Sequence, residues 1–176
     1  MYKDFFKRIE KKESHVEESP YIGQKRTWGS SVTLDANACI HFINGEPSAH
    51  FHTYRIENYI LYSGEMDVYR GEWYEGDLEK TVAGLEKTRL LPGDRVVMHP
   101  GTVHIPISVA PSGSVFIEIS HGPYEDSDVH RIYDKDGRDV ELAKQWSKLG
   151  YDKGVSIVEL IPTVQKKLAK IKKKIK

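Results

Sequence analysis

Between residues 28 and 132, apolar and polar positions alternate in short runs: SSVTL, ACIHFI, HFHTY, NYILY, MDVYR, EKTRLL, RVVMH, VHIPISV and SVFIEIS. A period of two turns successive side chains to opposite faces, so each run predicts a β-strand with one side on a core. Turn signals stand between the runs, among them Asn44-Gly45, Ser63-Gly64, Pro92-Gly93-Asp94, Pro100-Gly101 and Pro111-Ser112-Gly113. That density of turns suits an antiparallel sandwich or barrel, with no helical periodicity inside it. The flanks read differently. Residues 2–12 set Phe5, Phe6 and Ile9 at helical spacing among charges, which predicts a short amphipathic helix acting as a cover. After Gly137, the segment DVELAKQWSKLG and then residues 155–176 recover helical character, with Pro162 expected to start or kink the last helix. The expected fold class is therefore all-β, one barrel domain over 1–176. Its core spans roughly 24–133, a short helix precedes it and a helical extension over roughly 139–176 follows.

Bulk properties narrow the partners. At 176 residues the chain has the size of one domain. Lys plus Arg number 26 and Asp plus Glu number 26, so no global field favours nucleic acid or a membrane surface. Cys39 is the one cysteine, which rules out an internal disulfide framework and fits a reducing compartment, so the cytoplasm is the expected location. The opening MYKDFFKRIEKKE is charged throughout and lacks the apolar core of a signal peptide, and no stretch reaches the length needed to span a bilayer. The end, KKLAKIKKKIK, carries Leu168, Ile171 and Ile175 on a stripe among lysines, which reads as a solvated helix docking that stripe.

The chemistry gathers around histidines. His50 and His52 are two apart in AHFHTY, so on a strand they share a face about 6.7 Å apart along the chain and can reach one ion from one side. Taken alone, such a pair is more often exposed or hydrogen-bonded. Glu57 follows five residues later, and the segment PGDRVVMHPGTVH supplies turn, strand, turn and then His104, which a hairpin can return to the same centre. Three imidazoles and one carboxylate suit one divalent transition metal (Mn, Fe, Zn, Co or Ni) and leave part of a six-coordinate ion open.

These residues resemble the two signatures of the cupin superfamily, G-x5-H-x-H-x3,4-E-x6-G and G-x5-P-x-G-x2-H-x3-N. Gly45, His50, His52, Glu57 and Gly64 follow the first with one residue fewer after the glycine, and Gly93, Gly101 and His104 follow the second. His99 stands at the usual proline, and Ser108 replaces the final asparagine. Two flanking segments are similar to the sugar-isomerase branch, meaning D-lyxose isomerase and type II mannose-6-phosphate isomerase cupins. QKRTWG at 24–29 resembles an E-K-P-W-G opening. Glu118, Ser120, Asp128, Arg131, Asp134, Gly137 and Arg138 match, in order, an E-V-S element followed by D-V-x-R-x-x-D-x-x-G-R. The resemblance covers roughly residues 24–138. It implies a double-stranded β-helix (jelly-roll) barrel, a metal on His50, His52, Glu57 and His104, a sugar or sugar phosphate as the small-molecule partner, and a homodimer.

Fold alone does not set a reaction. An aldose–ketose isomerase must move a proton between adjacent carbons while two neighbouring oxygens are held, which an open metal edge and one acid–base side chain can do. Glu118 is the candidate carrier, because alternation in SVFIEIS puts it with Phe116 and Ser120, away from Val115, Ile117 and Ile119. The pattern leaves open whether that face is the cavity or the outside, and the resemblance implies the cavity. Arg138 and Lys25 are the other catalytic candidates. Arg131, Tyr59 and Trp28 are candidates for holding substrate. For the arginines, the competing reading is a surface salt-bridge set with Asp126, Asp128, Asp134 and Asp136. Trp28, Tyr54 and Tyr62 read as core aromatics before sugar-stacking ones. Two other functions use the same features: a mononuclear iron dioxygenase on the four ligands, and a carbohydrate-binding module without turnover.

Overall fold

The structure, a computed structural model, describes residues 16–18, 25–31, 36–122 and 126–175, with side chains described for 38–122 and 127–174. The expected helix over 2–12 lies outside the described residues. Among the described residues, eleven strands follow in chain order: β1 (Val16–Glu18), β2 (Lys25–Ser31), β3 (Ala36–Ile43), β4 (Ala49–Phe51), β5 (Ile56–Ser63), β6 (Met66–Glu72), β7 (Glu86–Leu90), β8 (Arg95–Met98), β9 (Thr102–Ser108), β10 (Ser114–His121) and β11 (His130–Tyr133). They form two antiparallel sheets, ordered β1-β2-β3-β10-β5-β8 and β11-β4-β9-β6-β7. This is the expected all-β architecture of two antiparallel sheets.

Alternation works as the sequence reading requires on the six-stranded sheet. In β10, Ser114, Phe116, Glu118 and Ser120 are buried while the intervening residues are more exposed, and in β5 Glu57, Tyr59 and Leu61 turn inward. The chain then leaves β5 for the other sheet through Ser63-Gly64. Gly64 has φ +86°, and a Cβ there would lie 2.6 Å from Ser114 Oγ and 2.7 Å from the Gly113 oxygen. Only glycine fits a corner so crowded. Between the sheets pack Ile43, Tyr59, Leu61, Met66, Val68, Leu90, Val96, Met98 and Phe116.

The five-stranded sheet loses alternation for a physical reason. β9 is buried at five consecutive positions because its second face is covered by helices. Val103, Ile105 and Ile107 join Ile132, Leu142, Trp146, Ile157, Leu160 and Val164 in a second core. The helices of that layer are α1 (Leu78–Ala83), α2 (Val140–Lys148) and α3 (Ile157–Ile175). The first corrects the expectation of no helix within 28–132: Asp77 caps α1 by accepting from the Lys80 amide at 2.9 Å, and Val82 is buried. In α2, Asp139 accepts from the Leu142 amide, and Trp146 donates to the Ile132 oxygen at 2.8 Å, which fixes the helix on β11. Glu46 closes the start of α3, accepting from Ser156 Oγ at 2.6 Å and from the Ile157 amide at 2.7 Å. Pro162 neither begins α3 nor lies in its first turn; it sits inside the helix. No helix among the described residues is long and apolar enough to cross a membrane. Tyr54 and Tyr62 are 68% and 71% exposed, so neither is a core aromatic.

Candidate metal centre

Four side chains from three strands and one loop converge inside the barrel. His50 lies on β4 and pairs in register with His104 on β9. His52 follows β4 directly, and Glu57 opens the inward face of β5. One ligand atom from each of these four residues lies within 4.8 Å of the others. Glu57, His52 and His104 are buried, and His50 is half-buried.

The rings are oriented from behind. Nδ1 of His50, His52 and His104 sits 2.9 Å from the main-chain oxygen of Ser48, Asp128 and Thr102, respectively. A carbonyl only accepts, so each Nδ1 carries a hydrogen, and a ring with no second hydrogen presents Nε2 as a lone pair. Nε2 of His52 and of His104 stands 2.9 and 3.0 Å from the two oxygens of Glu57, yet neither has a hydrogen-bond partner. Lone pairs facing a carboxylate at that range repel unless a metal ion or a proton lies between them. Burial pushes the His104 ring down, but Glu57 outweighs that and pushes it up. Adjacent ligands about 2.1 Å from a six-coordinate ion are about 3.0 Å apart, which is the spacing observed. The donor set therefore fits a divalent metal.

Charge follows the same logic. Burial pushes the Glu57 carboxyl up, but the His104 and His52 rings beside it outweigh that and hold it well below the usual carboxylate range. Desolvation, and then the neighbouring His104, pushes His50 well below the ordinary imidazole value, which favours the neutral ligand form. Tyr59 donates its hydroxyl to Glu57 Oε2 at 2.9 Å, and buried Arg55 approaches Oε1 at 3.4 Å. Asp128 Oδ1 accepts from the amides of Thr53, at 2.8 Å, and Tyr54, pinning the turn that carries His52.

The other candidates divide. Glu118 faces inward, 7% exposed, close enough for its charge to act on His104. Its nearest ionisable partner is one the sequence reading did not assign: His41 Nε2 lies 2.8 Å from Glu118 Oε2. The signal for His41 was present, since alternation in ACIHFI buries Cys39, His41 and Ile43 together. Tyr59 lines the same chamber through its bond to Glu57. Arg131 is exposed on β11, at the register position of His50. Arg138 forks onto Asp134, with Nε and Nη2 each 2.8 Å from a carboxylate oxygen, as the salt-bridge reading describes. Lys25 and Trp28 belong to β2, and their side chains are outside the described residues. Arg55 was not singled out from the sequence.

No family model matches the chain, and no curated protein matches it. Solved structures do. CapF from Staphylococcus aureus, a capsular polysaccharide assembling protein, is similar at 10% identity and a TM-score of 0.55, over 68% of this chain and 31% of its own. An oxalate decarboxylase matches at 10% identity and 0.54, over 85% of this chain and 39% of its own. A variant of PAC13 from Streptomyces, solved with uridine, matches at 13% and 0.52, over 71% of this chain and 88% of its own. This chain thus spans about a third of CapF and most of PAC13. At such identities the likeness is one of fold.

Proposed function

We propose that this cupin-fold chain is a metal-dependent aldose–ketose isomerase acting on a sugar or sugar phosphate. The observation that carries the reading is Glu118, a buried carboxylate on the inward face of the sheet that also carries Glu57 of the four-residue cluster. A divalent ion held by His50, His52, Glu57 and His104 would polarise the carbonyl and its neighbouring hydroxyl. Glu118 takes the proton from C2 of the open-chain aldose and delivers it to C1, while the C2 hydroxyl proton passes to the C1 oxygen, so aldose and ketose balance atom for atom. Arg131, exposed and at the register position of His50, suits the far hydroxyls or a terminal phosphate.

The test is incubation of the metal-loaded chain with aldoses and aldose phosphates in deuterated water. The reading expects ketose carrying deuterium at C1, and a loss of about 10²–10⁴-fold in Glu118→Gln with metal content kept. Absence of ketose across the panel, with metal verified, overturns it. Oxygen consumption with Fe(II) would point to a dioxygenase instead, and sugar affinity without product, indifferent to Glu118→Gln, to a binding module.

A further inference from the structure

The inner face of the six-stranded sheet is apolar around Ile43, Leu61, Val96, Met98 and Phe116, yet a strip of polar groups crosses it. Register places Ser120 beside Glu57 and Glu118 beside Tyr59 across β10 and β5. On the other side of β10, Phe116 pairs with His41 and Glu118 with Cys39 of β3. The strip thus runs from the metal ligand Glu57 through Ser120 and Glu118 to His41.

Two members of it are unsatisfied among the described residues. His41, 4% exposed, has no hydrogen-bond partner on either ring nitrogen, and Ser120 Oγ, 1% exposed, has none. His41 lies flat on Phe116, with ring centroids 4.7 Å apart and planes at 11°. Its Nε2 comes within 2.8 Å of Glu118 Oε2 without the geometry of a directed hydrogen bond. Burying such groups without partners costs stability, so a fold that keeps them holds a ligand there or a reservoir of strain. A hydroxyl both donates and accepts, which is what a neutral imidazole and a serine hydroxyl each require.

We infer that His41 and Ser120 form the recognition strip for the hydroxyl chain of the substrate, which extends from the metal centre across Glu118 to His41. This rests on the isomerase reading for the class of ligand, a polyhydroxylated carbon chain. His41 touches a hydroxyl beyond the reacting carbons, and Ser120 touches one between the metal and Glu118.

The experiment uses pentitols and hexitols, with and without a terminal phosphate, which carry the hydroxyls but no carbonyl and cannot turn over. Their binding to metal-loaded wild type, His41→Phe and Ser120→Ala is measured by calorimetry, alongside metal content and Tm. His41→Phe keeps the stack on Phe116 and removes both nitrogens. The inference expects polyol affinity to fall about tenfold or more in each variant and metal content to stay at one per chain. A purely structural histidine would instead lower Tm and leave affinity alone. Equal affinity in wild type and both variants overturns the inference while leaving the isomerase reading standing. Absence of polyol binding to wild type overturns the inference too, and the isomerase reading is then decided by ketose formation alone. A second metal equivalent lost in His41→Phe would make the strip a metal site and overturn the inference. Should His41→Phe not fold, Ser120→Ala decides by the same comparison.

Discussion

His52 Nδ1 donates to the main-chain oxygen of Asp128 at 2.9 Å, a link between residues 76 positions apart that sets the direction of a candidate metal ligand. The Asp128 side chain secures the same junction by accepting from the Thr53 and Tyr54 amides. Asp128→Ala leaves the carbonyl in place but frees the turn around His52. We expect metal affinity to drop about 10–100-fold, as outer partners of metal-bound histidines typically contribute, read by competition with a chromophoric chelator. An unchanged affinity would show that the turn holds itself.

Metal removal has a stability signature. Nε2 of His52 and His104 faces the Glu57 oxygens at 2.9 and 3.0 Å, a contact that a cation relieves. Binding to the folded chain alone stabilises it by mass action. Chelator should lower Tm, excess Mn(II) or Zn(II) should restore it, and Glu57→Gln should respond to neither. A Tm indifferent to chelator in wild type would contradict this.

Asp134 collects four donors: the Asp136 amide, the Arg138 amide, and Nε and Nη2 of the Arg138 guanidinium. Burial pushes its carboxyl up, but the Arg138 guanidinium outweighs that and holds it below the usual value. A carboxyl depressed on folding adds stability that is present above its unfolded pKa of about 3.9 and lost as pH falls through the folded value. Urea denaturation should therefore show wild type losing more stability than Asp134→Asn between about pH 5 and pH 2. At neutral pH the variant should be about 1–3 kcal/mol less stable. Parallel pH curves would sink the account.

Glu46 ties the first turn of α3 to the segment that leads into β4, through Ser156 Oγ and the Ile157 amide. Removing a side chain that satisfies a helix N-terminus costs about 0.5–2 kcal/mol. Glu46→Ala should lower urea stability by that amount, and Ser156→Ala by less, because the Ile157 amide keeps its acceptor. No change in either would mean that the cap is replaced by water.

What was legible in the chain and what was not follow from the range of each interaction. Inward alternation at Glu57, Tyr59, Phe116 and Glu118 could be read directly, because a sheet face has a period of two in sequence. The convergence of His50, His52, Glu57 and His104 was legible because His-x-His puts two donors on one face and the spacing to Glu57 and His104 is that of a known signature. Helix α1 was not: six residues are too few to establish a 3.6 period. The alternation that buries β3 marked His41 as inward but could not say that Glu118 lies opposite, since strand order is a tertiary fact. The reverse held for β9, where helices cover the second face and erase the alternation. Acceptors such as the Asp128 carbonyl belong to the backbone and carry no side-chain signature.

The most direct test of the central claim is elemental analysis of purified wild type against His50→Ala and His104→Ala, with circular dichroism to verify the fold. If His50, His52, Glu57 and His104 grip one divalent ion, wild type carries one equivalent per chain and both variants lose most of it. Metal retained at full occupancy in both folded variants would contradict the account.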